Sequence, residues 1–230
     1  MVWRTPRTGS GGVRDDSLGG HDQALVGAPA HRREIVVTLR DGARVTVRPI
    51  RPQDAVALRA GFERLSEESR YRRFLSPMQD LSGSMLRYLT EVDHHDHEAL
   101  IAVGAEGTLV GVARSVRSHG DPQVAEAAVT VADDWQGRGL GTALLGLLAD
   151  RARAEGISRF TALMLANNRE AVELFEALGP IRILERTSGT IELEITLPRR
   201  GAGPHLRELL RGSASGRYKV IATPTESLDS

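Results

Sequence analysis

The sequence predicts an α/β (α+β) fold in which helices flank a mixed, mostly antiparallel central sheet of about six or seven strands. Residues 99–131 contain three β-rich runs joined by short, glycine-containing connections, a pattern typical of antiparallel neighbours. A glycine-rich loop, a long segment with helical apolar spacing and another β-rich run follow, which indicates a β-α-β unit added to that sheet.

The composition of the 230 residues excludes several classes of protein. The absence of cysteine excludes a disulfide framework, a thiolate zinc site and a cysteine nucleophile. The 30 basic and 30 acidic side chains balance, so charge gives no reason to expect a nucleic-acid or membrane partner. No apolar run approaches the ~20 residues that span a bilayer, and the first residues lack the apolar core of a secretory signal. We therefore expect a cytoplasmic protein.

One domain with two polar ends is the predicted organisation. Residues 1–33 and 199–230 are rich in glycine, serine and charged side chains and show no apolar periodicity. Such segments cannot bury enough surface to offset their ordering entropy, so we expect a disordered N-terminal segment and a flexible C-terminal tail. Residues 34–198 are long enough to form a single domain.

The domain begins with a predicted β-hairpin. The β-rich runs Ile35–Leu39 and Val45–Val47 flank Asp41 and Gly42, a dipeptide typical of hairpin turns. Pro52 then opens a helix. The spacing of its apolar side chains predicts a buried face formed by Val56, Leu58, Phe62 and Leu65.

The remaining elements follow from periodicity and from the glycines and prolines that separate them. The predicted helices are Glu67–Phe74, Ser84–Val92, Leu140–Glu155 and Arg169–Leu178. The predicted strands are Ala99–Val103, Leu109–Val116, Val124–Val131, Phe160–Leu165, Ile181–Leu184 and Thr190–Leu197.

The loop Gln136–Thr142 is the most informative segment, because it joins a predicted strand to a predicted helix. Its alternating glycines let the backbone approach a ligand, the helix N-terminus adds partial positive charge, and Arg138 adds a full charge. These features favour a bound pyrophosphate. The loop lacks the lysine of an ATP-binding loop, and Thr142 or Leu144 stands where a dinucleotide fingerprint requires glycine.

At this loop the chain resembles the GNAT superfamily of N-acyltransferases, and the resemblance extends over residues 34–198. Residues 136–142 fit the coenzyme A loop, Q/R-x-x-G-x-G/A, and residues 168–179 fit the helix N-x-x-A-x-x-x-Y-x-x-x-G with Phe175 in place of tyrosine. The resemblance implies the GNAT fold, with a sheet splayed between its fourth and fifth strands. It also implies bound acetyl-CoA, or another acyl-CoA, and no metal.

The same resemblance implies the residues that bind the acyl-CoA. The backbone of one strand would pair with the pantetheine arm as an added strand, and N–H groups of the loop would bind the pyrophosphate. An asparagine before the second helix would hydrogen-bond the cofactor, with Asn167 as the second choice or as a helix cap. The implied binding residues are Val129, Val131, Gln136, Gly137, Arg138, Gly139, Leu140, Gly141, Thr142 and Asn168.

Glu126 is the candidate general base. It interrupts a run of small and apolar residues just before the loop, and strand alternation places it on one face with Ala128 and Thr130. An amine acceptor must lose a proton before it attacks a thioester, and desolvation would raise the pKa of Glu126 toward a useful range. GNAT enzymes often place a catalytic glutamate on this strand. The alternative is a glutamate on an edge or a solvent face.

Phe175 departs from the GNAT pattern, because the tyrosine expected there is the usual general acid and a phenyl ring cannot donate a proton. Either water or another group protonates the leaving thiolate, or the acid step is dispensable. The substitution also keeps open a different class of function, a non-catalytic module that senses acyl-CoA.

Three histidines and three acidic residues lie together in Asp93–Glu98. Side chains of an extended loop diverge, and the sequence offers no second ligand cluster nearby. We therefore interpret this segment as a polar loop and expect no metal site.

One subgroup of the superfamily is more similar than the rest. Residues 65–74, 89–93 and 125–139 resemble the GNAT domain of bacterial protein lysine acetyltransferases of the Pat type, with Glu126 at the position of their catalytic glutamate. The resemblance implies acetyl transfer to a protein lysine, and a small-molecule amine is the alternative acceptor. Because 33 N-terminal residues are too few for the regulatory domains of that subgroup, we expect none of their regulation.

Overall fold

The structure is a computed structural model that describes residues 34–198 and 221–222. The expectations for residues 1–33, and for most of the predicted tail, concern residues outside this part. Within it, no helix combines the length and apolar character needed to cross a bilayer.

A single mixed sheet forms the centre of the domain. Its strands are β1 (Ile35–Thr38), β2 (Arg44–Pro49), β3 (His97–Val103), β4 (Leu109–Arg117), β5 (Val124–Val131), β6 (Arg159–Leu165), β7 (Ile181–Arg186), β8 (Thr190–Thr196) and β9 (Ile221–Ala222). The order across the sheet is β7-β8-β6-β5-β4-β3-β2-β1-β9. Neighbours are antiparallel except β5 and β6, which the β-α-β connection makes parallel. The described part thus holds more strands than the six or seven expected: all eight predicted β-rich runs join the sheet, and β9 pairs with β1 as a ninth strand.

Five helices surround the sheet. They are α1 (Ala55–Glu63), α2 (Glu67–Phe74), α3 (Gly83–Thr90), α4 (Leu140–Ala154) and α5 (Arg169–Glu176). A short 3-10 turn at Pro52–Asp54 precedes α1, as the proline predicts. The ends of α2 to α5 lie within two residues of the predicted ends.

The helices cover both faces of the sheet, and each layer encloses an apolar core. On one face α1, α2 and α3 bury side chains such as Phe62 and Ile101. On the other face α4 and α5 bury side chains such as Leu148 and Phe160. We call these the α1–α3 face and the α4–α5 face.

One prediction about α1 is wrong. Leu58, Phe62 and Leu65 are buried as expected, but Val56 is 81% exposed. Residues two apart lie about 200° apart around a helix, so Val56 and Leu58 cannot share one face, whereas intervals of four and three residues can.

The sheet opens between β5 and β6. The two strands pair only at three positions, Val124 with Arg159, Ala125 with Phe160 and Glu126 with Thr161. Beyond them, β5 stays paired with β4 as far as Val131. This opening is the splay that the sequence predicts, but it lies between the fifth and sixth strands in chain order and not between the fourth and fifth, because β4 and β5 remain paired along β5.

Ion pairs and hydrogen bonds of the polar segment Asp93–Glu98 connect β3 with the C-terminal end of α4. Glu98 is buried, and its carboxylate lies 2.8 Å from His94 Nδ1 and 3.1 Å from Arg151 Nη1. Asp93 accepts backbone hydrogen bonds from three of the four residues that follow it. The concentration of charge in this segment is therefore used for structure, and the described residues contain no cluster suited to a metal ion.

Candidate functional site

A cleft of about 770 Å³ lies in the opening between β5 and β6. Residues 127–131 of β5 form one wall, residues 162–164 of β6 form the other, and α2, α5 and the loop before α4 complete it. The edge of β5 that faces the cleft is not paired with β6 over residues 127–131. An extended ligand can therefore lie along this edge as an additional strand.

The loop before α4 presents its backbone to the cleft. Gly137 and Gly139 have left-handed backbones, with φ of 72° and 88°. Residues that carry a side chain rarely adopt this backbone conformation, which accounts for glycine at both positions. Among the described residues, no carbonyl oxygen accepts a hydrogen bond from the backbone N–H groups of residues 137–142. These donors and the N-terminus of α4 form a site suited to an anion.

Hydrogen bonds to Asp133 connect this loop with α2. Its carboxylate accepts hydrogen bonds from the backbone N–H of Ser66 at 2.8 Å and from the hydroxyl of Ser69. Although burial acts to raise it, hydrogen bonds from Ser69 and Ser66 hold the pKa of Asp133 below its ordinary value. Gln136 Nε2 donates to the Val131 carbonyl oxygen at 3.2 Å, which ties the loop to the end of β5.

The structure brings Arg40, and not the guanidinium of Arg138, to the cleft. Arg138 Nη1 lies 3.1 Å from Asp41 Oδ2, the guanidinium stacks on Trp135, and Arg138 does not line the cleft. Arg40, in the turn between β1 and β2, lines the cleft, and its side chain lies beside Gly139. The backbone N–H of Arg40 donates to the Arg138 carbonyl oxygen at 3.2 Å. The full positive charge expected from Arg138 therefore comes from a residue that sequence reasoning missed.

We predict that Arg40→Ala raises the KM for acetyl-CoA about tenfold, the loss expected for one charge-assisted contact with a phosphate. Arg138→Ala is the matched control and changes that KM by less than about twofold, because the Arg138–Asp41 pair is partly exposed. Initial rates at varied acetyl-CoA measure both values. A larger effect from Arg138→Ala than from Arg40→Ala would contradict this assignment.

The other nine predicted binding residues all line the cleft. Asn168 is also the N-cap of α5, where its Oδ1 accepts a hydrogen bond from the Ala171 N–H at 3.1 Å. Its side-chain amide retains two N–H donors for a ligand. Phe175, one turn further along α5 than Ala171, lines the cleft and is buried.

Glu126 occupies the apex of the opening, at the last paired position between β5 and β6. Alternation along β5 places Ala125 and Ala127 in the α4–α5 core and sends Glu126 to the α1–α3 face with Ala128. The side chain is partly buried, and this burial raises its pKa above the ordinary glutamate value. Glu126 is thus adjacent to the cleft, and part of its side chain remains accessible to solvent.

Two arginines lie near Glu126 on the α1–α3 face. Arg73 of α2 interacts electrostatically with it, and Arg114 of β4, which is buried, interacts with Arg73. Arg114 donates hydrogen bonds to the Leu89 carbonyl oxygen at 2.9 Å and contacts His97 Nε2 at 2.8 Å. Burial, reinforced by Arg114, lowers the pKa of His97 to about 4, so this imidazole is neutral at physiological pH. Sequence reasoning missed Arg73 because an arginine-rich helix is usually solvated, and it missed Arg114 because the strand pattern alone does not show that this side chain is buried.

Comparison with known proteins gives a consistent result. Residues 60–179 match the Acetyltransferase (GNAT) family. The chain is 35% identical to acetyltransferase Pat of Mycolicibacterium smegmatis over 188 residues. The aligned region is 81% of this chain and 56% of that relative. It is 37% identical to an acetyltransferase of Pseudomonas aeruginosa over 147 residues, which are 63% of this chain and 78% of that relative.

A solved structure is similar over the whole of its length. The GNAT domain of S. lividans PAT has a TM-score of 0.68 and 35% identity, and the match covers 74% of this chain and 100% of that domain. By contrast, this chain spans little more than half the length of the M. smegmatis relative.

Proposed function

We propose a specific reaction for this chain, which belongs to the GNAT acetyltransferase family and is an acyl-CoA-dependent N-acyltransferase. In this proposal the acceptor is a protein lysine and Glu126 is the general base. The observation that carries the proposal is the position of Glu126, which lies at the apex of the cleft with its side chain partly buried and partly accessible.

The cleft has the features that an acyl-CoA requires. The unpaired edge of β5 suits an amide-bearing arm, and the N–H groups of residues 137–142 together with Arg40 suit a pyrophosphate. When bound, acetyl-CoA supplies an activated thioester carbonyl. We propose that the residues which line the cleft orient it, with Val129 and Val131 along the arm and Asn168 at its far wall.

Proton removal is the step assigned to Glu126. A lysine side chain has a pKa of ~10.4 and arrives as an ammonium ion that cannot attack a carbonyl. The carboxylate of Glu126 accepts a proton from the nitrogen, directly or through water, and the neutral amine then has a free electron pair. Burial favours this step, because a raised pKa makes Glu126 a stronger proton acceptor.

Negative charge near Glu126 supports a cationic acceptor. Thr161 of β6 pairs with Glu126 on one side and with Glu194 on the other, so Glu194, and by alternation Glu192, share a face with Glu126. Glu194 is ion-paired with Arg159 and Arg182, whereas the negative charge of Glu192 acts on Glu126. Glu126 and Glu192 together can attract an ammonium ion. Together with the similarity to Pat, this arrangement favours lysine, and a cytoplasmic location is part of the proposal.

A thiol-release assay tests the acceptor. We expect acetyl-CoA to release CoA with a lysine-containing peptide whose α-amine is capped, and not with the same peptide carrying Nε-acetyl-lysine. A kcat/KM at least about tenfold below the peptide's is expected for small amines, which lack the remote contacts that a peptide supplies. Equal or better rates with small amines would make the protein a small-molecule acetyltransferase. Binding of acetyl-CoA without release by any acceptor would make it a sensor.

A further inference from the structure

Arg73 places a positive charge beside the apex of the cleft. It lies in the last turn of α2, which ends at Phe74; the N–H of the C-cap residue Leu75 donates to the Tyr71 carbonyl oxygen at 2.8 Å. The Arg73 side chain lines the large cleft and also a small cavity beneath α1–α3, and Ala128 and Thr130 of β5 line both spaces with it. Arg73 therefore lies against β5 and borders both the cleft and the face on which Glu126 lies.

This cation persists at physiological pH. Burial lowers the pKa of Arg73 to about 10, and the negative charge of Glu126 opposes that shift. The groups that act on Glu126 from the surrounding elements are Arg73 of α2, Glu192 of β8 and Tyr88 of α3, with Arg114 of β4 acting on Arg73 and Tyr88. Arg73 is the one of these described groups that also lines the cleft.

The leaving thiolate of the reaction requires a nearby positive charge. The ammonium acceptor loses two protons in becoming an amide, and Glu126 releases the first of them to water before the amine attacks. As the carbon–nitrogen bond forms and the carbon–sulfur bond breaks, the electron pair of the broken bond stays on sulfur and the second nitrogen proton passes to Glu126. The carboxylate becomes neutral, and the negative charge moves from Glu126 to the thiolate. Phe175 cannot protonate that thiolate, so the charge on sulfur has to be stabilised in another way.

We infer that Arg73 is a further catalytic residue, which stabilises the departing thiolate in place of the proton donor that Phe175 cannot be. The inference rests on the proposed function, since it takes the negative charge from Glu126. One guanidinium beside both groups keeps the site balanced as the charge moves from carboxylate to sulfur. The thiolate stays unprotonated until CoA leaves the cleft.

Rescue by a proton donor is the test. We expect Arg73→Gln to lower kcat for thiol release about 30-fold, as for the loss of one charge-assisted contact, with the KM for acetyl-CoA unchanged within about twofold. Phe175→Tyr should raise kcat of the Arg73→Gln variant at least about fivefold, and that of the unaltered protein less than about twofold. No rescue in the double variant, or an Arg73→Gln variant as fast as the unaltered protein, overturns the inference.

Arg73→Lys keeps the test decisive if Arg73→Gln does not fold, which thermal melting reveals. A buried lysine has a lowered pKa, so this variant should retain kcat near pH 7 within about threefold and lose it at alkaline pH, where the unaltered protein stays active. Full activity of Arg73→Lys up to pH 9.5 argues against a catalytic charge.

A pH profile separates this inference from the proposed function. If Arg73 acts only by tuning the pKa of Glu126, the Arg73→Gln profile shifts to higher pH and its plateau returns to the original kcat, which overturns the inference. If Glu126→Gln is fully active, Glu126 is not the base and the proposed function fails. Rescue of Arg73→Gln by Phe175→Tyr would still assign Arg73 to the thiolate in that case.

Discussion

Glu126→Gln lowers kcat for thiol release about 1,000-fold at neutral pH, while the KM for acetyl-CoA stays within about twofold. Glutamine has the size of glutamate but cannot accept the proton of the ammonium acceptor. The side chain lies at the apex of the cleft and does not line it, which is why acetyl-CoA binding is expected to survive. The unaltered protein should show an acid limb in kcat/KM above the ordinary range of a glutamate, because burial raises the pKa of Glu126. That limb should be absent from the variant.

Glu192→Gln is the matched control for this prediction. The negative charge of Glu192 helps to raise the pKa of Glu126 from across the splay. Its removal should move the acid limb to lower pH and leave the plateau of kcat within about threefold. Unchanged turnover of Glu126→Gln, or an acid limb that survives in it, shows that another group removes the proton.

Gly179→Ala lowers the free energy of unfolding by about 3 kcal/mol and the Tm by about 10 °C. Gly179 lies between α5 and β7, and a Cβ atom at this position would lie well inside van der Waals distance of the backbone oxygen of Thr196. The backbone cannot move away cheaply, because the Thr196 N–H donates to the Pro180 carbonyl oxygen at 2.9 Å. Urea unfolding followed by circular dichroism measures the change.

Gly189→Ala provides the control for the same substitution. A Cβ atom at Gly189, in the turn between β7 and β8, would have no neighbour within 4 Å. We expect its free energy of unfolding to change by less than about 0.5 kcal/mol. Equal stability of the two variants would show that the turn after α5 is not tightly constrained.

The cofactor loop is predictable from sequence because its function depends on local features. The proposed binding by Gln136–Thr142 uses backbone N–H groups and a helix N-terminus, so the glycine pattern between a strand and a helix is enough to locate the candidate loop. The strand that carries Glu126 is predictable for a similar reason, since a lone carboxylate among small apolar residues departs from its own local pattern.

The arginines of the site are not predictable in this way, because distant segments bring them together. Arg40 reaches the cleft from a hairpin almost one hundred residues before the loop, and the pairing of β2 with β3 and the hydrogen bond from its backbone N–H to Arg138 hold it there. Arg73 follows two further arginines in a strongly polar helix, which by composition alone is a solvated surface. Its burial depends on the packing of α2 against β5, and side-chain stems of arginine readily cover apolar surface.

Tandem mass spectrometry of the acceptor peptide after incubation with isotopically labelled acetyl-CoA tests the central claim most directly. We expect the label on a lysine Nε of the peptide, at a level that falls about 1,000-fold with Glu126→Gln and changes little with Glu192→Gln. Label on no lysine of any peptide, with acetyl-CoA bound in the cleft, would contradict a protein lysine acetyltransferase that uses Glu126.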